Sequence, residues 1–269
     1  MGRIAANHVL SDLYACGAEP VSALAAVTLP YARGSLLQRD LYQVLCGAVA
    51  EFSHAGCSLT GGHSMQGAEM TVGFSVTGRP MHPGRGLLAK RGLRHGDVLL
   101  LTKPLGTGVL FAAHMQQRAD GRHIAGAVTS MLQSNEAAAR LALEYDVSAC
   151  TDVTGFGLLG HLAEMLLEGQ RAHLDADAVP ALSGARECLA AGLRSTGSAA
   201  NQEAALALIA DPGAVPLLLD PQTSGGLLLA VSPDDVEGLC QALRQSGYAQ
   251  AARIGVIESA SGAPQVLLD

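Results

Sequence analysis

Two aspartates stand out because each lies where a carboxylate could hold a metal ion. Asp12 falls within residues 3–16, whose apolar spacing predicts a helix, and Asp152 ends an apolar segment that predicts a strand. Mg²⁺ takes a few carboxylates together with phosphate oxygens, which makes both residues candidate ligands. From the sequence alone, Asp12 is better explained as a solvated helix residue, whereas Asp152 is equally consistent with a turn former that accepts backbone N–H groups. His8 lies one turn before Asp12 on the same face, but imidazole is a poor Mg²⁺ ligand, and we interpret it as structural.

Three glycine-containing segments suggest where an anion would bind. Gly61-Gly62-His63-Ser64 follows a short predicted strand, and inward-turned N–H groups there would cradle an anion, although a plain tight turn fits as well. Asp152 is followed by a Gly-x-Gly turn into a predicted helix, whose N-terminus favours phosphate. Residues 220–226 form a polar loop before an apolar strand, which suits either a functional loop or a turn. The spacing of a P-loop is absent from the sequence.

The order of the predicted elements indicates an α+β fold of mixed sheets, with helices covering one side of each sheet. A Pro-, Gly- and Arg-rich stretch predicts a linker at 81–96 between a first domain at 1–80 and a second at 97–269. The predicted helices are 3–16, 35 to about 56, 109–117, 124–145, 158–167, 183–191, 202–210 and 234–245, and the predicted strands are 21–29, 58–60, 71–77, 98–102, 147–151, 227–231, 252–257 and 264–268.

Composition excludes several classes of function. The 269 residues carry a net charge of −7 with only 17 basic side chains, so no nucleic-acid footprint is expected. The longest apolar stretches are far shorter than the roughly 20 residues of a membrane helix, and we expect no membrane association. Six widely separated cysteines without a CxxC pair favour reduced thiols and a cytoplasmic location.

Five segments together resemble the selenophosphate synthetase (selenide, water dikinase) family. They occur in the family's order along the whole chain, and the last two are highly specific. The segments are GRIAAN with LSDLYA (2–7 and 10–15), GGHS (61–64), LTKPLG (101–106), TDVTGFGLLGH (151–161) and DPQTSGGLL (220–228).

The resemblance implies a two-domain fold of the aminoimidazole ribotide synthetase (PurM-like) type, usually a homodimer. It implies a Mg²⁺-dependent phosphoryl transfer that converts ATP, selenide and water to selenophosphate, AMP and phosphate, supplying selenium for selenocysteine and selenouridine. Asp12 matches a Mg²⁺ ligand that also lies at the nucleotide, and Asp152 matches a second Mg²⁺ ligand. Gly62, His63 and Ser64 match the nucleotide-contacting turn, which the family shares across its dimer.

One departure concerns the nucleophile. The family carries its reactive Cys or selenocysteine and a catalytic Lys in a segment that precedes the Gly-Arg-Ile-Ala stretch, whereas here Met1 stands directly before Gly2. None of the six cysteines matches that position, so we expect no catalytic residue of this kind in the chain and a first domain shortened at its N-terminus. Two hypotheses follow: an enzyme of this family whose 269-residue chain shows little activity, or a non-catalytic remnant that binds nucleotide or dimerises.

Overall fold

The computed structural model describes residues 1–84, 86–209 and 211–268. Residue 85 in the predicted linker, residue 210 at the end of the helix predicted at 202–210, and residue 269 of the predicted second domain lie outside the described residues. Within the described ranges, the chain builds two mixed sheets and their covering helices, which confirms the predicted α+β class.

The first sheet has three strands in the order β2-β1-β3 and is covered by two helices. Its central strand β1 runs parallel to β2 and antiparallel to β3. The first helix approaches the second so closely that a Cβ added at Gly2 would lie 1.9 Å from the carbonyl oxygen of Val44. The elements are α1 (Gly2–Ala15), β1 (Ala18–Pro30), α2 (Gly34–His54), β2 (Ser58–Gly67) and β3 (Thr71–Pro80).

The second strand is much longer than predicted. The sequence predicts a strand at 58–60 and then a turn, but the pairing with β1 continues as far as the Pro30–Gly67 pair. A register shift between Ala23 and Leu24 leaves Thr60 as the extra residue, and the two glycines then pair with β1, so the chain stays extended where a turn was expected. The predicted Gly61–Ser64 turn is therefore wrong as secondary structure, because partner strand β1 supplies the hydrogen bonds that a turn would otherwise make internally.

The second sheet has six strands in the order β5-β7-β4-β8-β6-β9, and helices cover both of its faces. Along β4, Leu99 and Leu101 enter one apolar cluster, while Val98 and Leu100 enter another that also contains Leu10 of α1. The expectation of helices on one side is therefore wrong for this sheet, since β4 and β7 are buried throughout. The strands are β4 (Val98–Leu101), β5 (Val147–Asp152), β6 (Gln170–Leu174), β7 (Leu227–Val231), β8 (Ala252–Ser259) and β9 (Gln265–Leu268).

The helix predicted at 124–145 is two helices separated by a short break. The first ends before Gln133, whose backbone is extended, and the second begins after Asn135. Strand β6 was not predicted at all. The remaining helices are α3 (Thr107–Met115), α4 (Gly121–Leu132), α5 (Glu136–Ala142), α6 (Gly157–Met165), α7 (Ala185–Ala190), α8 (Ser198–Ala205) and α9 (Val236–Gln245), with one turn of 3₁₀ helix at Pro212–Ala214.

The segment predicted as a linker is tied to the end of helix α1 and to the second sheet. The amide of Leu88 donates to the carbonyl of Cys16 at 2.9 Å, and the amide of Cys150 in β5 donates to the carbonyl of Ala89 at 2.9 Å. The predicted domain limits stay a prediction. Within the described ranges, no helix combines the length and apolar character needed to cross a membrane.

Candidate active site

A cleft of about 740 Å³ opens between the first helix, the first sheet and the second half of the chain. Its polar lining comes from His8 and Asp12 of α1 and from Thr223 of the 220–226 loop. The apolar lining includes Phe74 of β3 and Met131 of α4. One wall therefore carries a carboxylate and an imidazole, while the others are suited to contact an apolar or aromatic group.

The two predicted metal ligands, Asp12 and Asp152, lie close enough to affect one another electrostatically. Burial raises the pKa of Asp152, and the carboxylate of Asp12 raises it further, against a hydrogen bond from Ser11 that lowers it. Burial likewise raises the pKa of Asp12, while His8 and Lys90 oppose that shift. Two carboxylates that are costly to ionise together form a site that a bound cation would stabilise.

The surroundings of Asp152 fit a Mg²⁺ ion. Its Oδ2 atom is buried and accepts no hydrogen bond among the described residues, so one carboxylate oxygen is left for a ligand. Ser11, which donates the hydrogen bond to Asp152, accepts one in turn from Asn135. The Nδ2 of Asn135 donates to Ser11 Oγ at 2.8 Å and to the Gly225 carbonyl at 2.8 Å. No group of three or more His, Cys, Asp or Glu side chains among the described residues is arranged to hold a metal. Mg²⁺ commonly uses one or two carboxylates, with phosphate and water completing its shell, which is a smaller protein ligand set than such a group.

His8 has a larger part in the site than the sequence indicated. Its Nδ1 accepts the backbone amide of Ser224 at 2.9 Å, which places the proton of the neutral ring on Nε2. The preceding residue, Asn7, donates to the Met131 carbonyl at 2.9 Å and to Ser224 Oγ at 3.4 Å. The first helix is thus attached to the 220–226 loop by adjacent residues, and His8 presents an N–H donor on a side chain that lines the cleft.

The two most specific motifs, 151–161 and 220–228, pack against each other. The amide of Gln222 donates to the Thr154 carbonyl at 3.0 Å, and the amide of Val153 donates to the Gly226 carbonyl at 2.9 Å. Gly225 must lack a side chain, because a Cβ there would lie 2.1 Å from the Val153 carbonyl oxygen. The glycines of this loop therefore allow close contact between two backbone segments.

The same loop also caps helix α3. Gln222 Oε1 accepts the amides of Gly106 and Thr107 at 3.0 and 3.2 Å, which serves the unpaired N–H groups at the start of the helix. Asp220 is fully buried beside it, and its Oδ2 accepts from Gln222 Nε2 at 3.0 Å. Burial raises the pKa of Asp220 to about 6, against the amides of Val109 and Gly108 and the Gln222 side chain, which lower it.

His161 is a packing residue. It is 5% exposed, its Nε2 lies 3.1 Å from Thr154 Oγ1, and its ring contacts Phe156. Burial lowers its pKa, although Glu164 opposes that shift. The imidazole therefore steadies the turn that follows Asp152.

The Gly62-His63-Ser64 segment is not brought to the Asp12 cleft within one chain. These residues lie on β2 and line a separate cavity of about 370 Å³ together with Leu41 and Leu45 of α2. Their assignment to the nucleotide rests on a second subunit and stays a prediction.

Comparison with known proteins identifies the family. The family described as AIR synthase related protein, N-terminal domain, matches residues 1–79, and its C-terminal domain counterpart matches residues 94–265. A protein of Trichlorobacter lovleyi named selenide, water dikinase is 44% identical over 237 residues, which cover 86% of this chain and 67% of that protein. The chain belongs to the selenide, water dikinase family. Relatives of the same name from Pelobacter propionicus and Burkholderia pseudomallei are 40% and 39% identical, covering 95% and 98% of this chain and 74% and 75% of their own lengths.

Solved structures agree on the fold of this selenide, water dikinase relative. A hydrogenase maturation protein HypE has a TM-score of 0.78 at 20% identity, covering 99% of this chain and 78% of that one. Thiamine monophosphate kinase from Aquifex aeolicus has a TM-score of 0.66 at 16% identity, covering 100% of this chain and 81% of that one. At such identities the likeness concerns the fold, and it confirms the predicted PurM-like architecture.

The six cysteines are free thiols. Cys16 follows Asp12 by one helical turn, but burial raises its pKa, and Asp12 and Asp152 raise it further. Burial raises the pKa of Cys150 well above its ordinary value. A nucleophilic cysteine needs a lowered pKa, so neither thiol suits the role of the family's nucleophile.

Proposed function

We propose that this protein acts in selenide, water dikinase chemistry, in which ATP, selenide and water give selenophosphate, AMP and phosphate. Family membership supports the reaction class, and the pairing of Asp12 with Asp152 beside the cleft is the observation that carries the proposal. A HypE structure of the same fold is described as a complex with ATP, which is consistent with nucleotide in this cleft. The cytoplasmic location and the use of the product in selenocysteine and selenouridine synthesis stay predictions.

In this proposal, Asp12 and Asp152 hold Mg²⁺ next to the phosphates of ATP. The ion would supply positive charge to offset the negative charge that accumulates on phosphoryl oxygens during transfer. Ser11 and Asn135 orient Asp152, and His8 donates from Nε2 to an anionic oxygen. The apolar wall with Phe74 and Met131 receives the nucleoside portion and excludes water from it.

The raised pKa values of Cys16 and Cys150 support a further proposal, about the activity of the 269-residue polypeptide. Because the cysteines near the carboxylates have raised pKa values, we expect the 269-residue polypeptide to bind Mg·ATP but to release little AMP in response to selenide. The relatives extend beyond the matched region, since this chain covers 67–75% of their lengths.

The deciding experiment compares two proteins in a selenide-dependent assay of AMP formation. One is the 269-residue polypeptide, and the other is a fusion that places the unmatched N-terminal part of the Trichlorobacter lovleyi relative before Met1. Rapid AMP formation by the fusion, with little by the shorter polypeptide, would support the enzymatic proposal. A folded fusion that binds Mg·ATP but forms no AMP would favour the second candidate, a non-catalytic nucleotide-binding or dimerising protein. Full activity of the 269-residue polypeptide would contradict the proposal that the reaction needs a nucleophile other than these thiols.

A homodimer through the first sheet is part of the proposal. The face of this sheet opposite α1 and α2 presents exposed apolar side chains, with Leu24 at 52% and Met65 at 45% exposure. A second subunit covering that face would bury them and bring a second Gly62-His63-Ser64 segment into the assembly. Sedimentation of the wild type and of Leu24→Glu tests this, since a charge at the interface should shift a dimer to monomer.

A further inference from the structure

Lys103 is a buried lysine for which the resemblance gives no role. Its side chain is 1% exposed, and its Nζ donates to the carbonyls of Gln133 at 2.8 Å, Ser224 at 2.9 Å and Ser130 at 3.4 Å. Three acceptors match the three N–H bonds of an ammonium group, which offsets much of the cost of burying it. Burial lowers the pKa of Lys103 to about 7, while the nearby Asp152 opposes that shift.

Ser224 links Lys103 to His8 through its two backbone polar groups. Ser224 gives its carbonyl to Lys103 and its amide to His8 Nδ1. Ser224 has a φ of 52°, a left-handed conformation that costs a non-glycine residue about 1–3 kcal/mol unless its surroundings maintain it. The ammonium is one of the groups that maintain it, and the orientation of the amide toward His8 depends on that conformation.

A second hydrogen bond of Lys103, to the Gln133 carbonyl, holds the other irregular segment that contacts helix α1. The Gln133 carbonyl lies in the break between α4 and α5, two residues before Asn135, which orients Ser11. One side chain therefore hydrogen-bonds both irregular segments, at 133–135 and at 220–226, that contact helix α1.

We propose that Lys103 is a positioning residue, which holds Ser224 so that its amide keeps His8 in the tautomer with the proton on Nε2. The N–H of His8 is then directed to the cleft, where it binds an anionic oxygen of the nucleotide phosphates. The tautomer of His8 is a property of the free protein, whereas its binding to the phosphates rests on the proposed function.

The tautomer is measured directly from the ¹⁵N chemical shifts of the His8 imidazole. In the wild type, Nδ1 should resemble a non-protonated and Nε2 a protonated ring nitrogen. Lys103→Met should shift both nitrogens toward an averaged value, and Lys103→Gln, which retains two donors, should shift them less. Arg94→Met is the control, since it removes a cation that pairs with Asp146 and, unlike Lys90, is not among the charges that act on Asp12. An unchanged His8 spectrum in folded Lys103→Met or Lys103→Gln would overturn the proposal.

A double-mutant cycle on Mg·ATP affinity tests the route through His8. Lys103→Met and His8→Ala should each weaken binding about tenfold, the usual effect of losing one hydrogen bond to a charged group. The double variant should have the same affinity for Mg·ATP as the single variant with the lower affinity. If the two losses of affinity instead add, Lys103 acts independently of His8, and the proposal is overturned. If the wild type binds no Mg·ATP, the proposed function fails, while the ¹⁵N comparison still decides the role of Lys103. Should Lys103→Met fail to fold, Lys103→Gln replaces it in both measurements.

Discussion

The side-chain amide of Asn135 donates to the hydroxyl of Ser11, 124 residues earlier in the chain, at 2.8 Å. The same nitrogen donates to the Gly225 carbonyl, so one buried residue joins helix α1 to the 220–226 loop. Because Ser11 in turn assists Asp152, the geometry of the carboxylate pair depends on a contact between the two halves of the molecule.

Asn135→Ala should lower the free energy of unfolding by about 1–3 kcal/mol, since it leaves buried acceptors without a donor. Hydrogen exchange should show the largest loss of protection in α1. Asn201→Ala is the matched control, because Asn201 Nδ2 donates to the carbonyls of Leu219 and Gly155 at 2.9 and 3.0 Å within the second half. Equal effects of both substitutions on the exchange of α1 would contradict the link.

Asp152→Asn should abolish most of the Mg²⁺-dependent increase in ATP affinity, a loss of about tenfold or more, because a metal ligand is replaced by a neutral amide. In the absence of Mg²⁺, the variant should be at least as stable as the wild type, since the repulsion from Asp12 disappears. Calorimetric titration with Mg·ATP and thermal unfolding without metal measure the two effects. Asp234→Asn, at an exposed position, is the control and should change neither.

The two adjacent glycines of β2 should respond differently to alanine. A Cβ at Gly62, where φ is +154°, would lie 2.2 Å from the Ala25 carbonyl oxygen, whereas the nearest atom at Gly61 is Leu24 Cδ2 at 3.6 Å. Gly62→Ala should therefore cost more than about 2 kcal/mol of stability, and Gly61→Ala less than about 1 kcal/mol. Urea unfolding of the two variants provides the comparison, and equal costs would rule out the close approach of β1.

Asp220 should make stability depend on pH in the weakly acidic range. Its pKa of about 6 in the folded protein lies above the ordinary value of 3.8, so the folded state binds the proton more tightly than the unfolded state does. The contribution of this group to stability is therefore present below about pH 4 and is lost as the pH rises through about 6, by on the order of 3 kcal/mol. The difference in unfolding free energy between the wild type and Asp220→Asn should fall across that window and be constant above about pH 7. A constant difference from about pH 4 to 7 would show that Asp220 is not perturbed.

The sequence was sufficient for the elements with strong periodicity, and it named as candidates two aspartates that the structure places near each other. Helices α1 and α2 and strands β5 and β7 follow from apolar spacing, and the motif match placed Asp12 and Asp152 as candidates. The break at 133–135 could not be predicted, because residues 124–145 keep a helical pattern and the groups that interrupt it, Lys103 among them, are distant in sequence. The sequence did place Lys103 next to the apolar strand predicted at 98–102, where burial of a lysine is rare and requires hydrogen-bond partners.

The role of His8 was missed for a related reason. Its position on the face of Asp12 was evident, but the partner that fixes its tautomer is a backbone amide, which every residue type except proline carries. Similarly, the length of β2 depends on strand β1, and sequence spacing alone does not reveal a bulge that allows two glycines to continue a strand.

The order of the strands has a consequence for synthesis. The central strand β4 is paired on both sides with strands made much later, β7 and β8, and His8 must wait for a partner 216 residues downstream. Contacts this far apart in sequence form slowly. While the chain emerges from the ribosome, the residues of helix α1 are therefore synthesised long before the rest of the cleft that they line, and the cleft can form only once the chain has been made as far as the 220–226 loop.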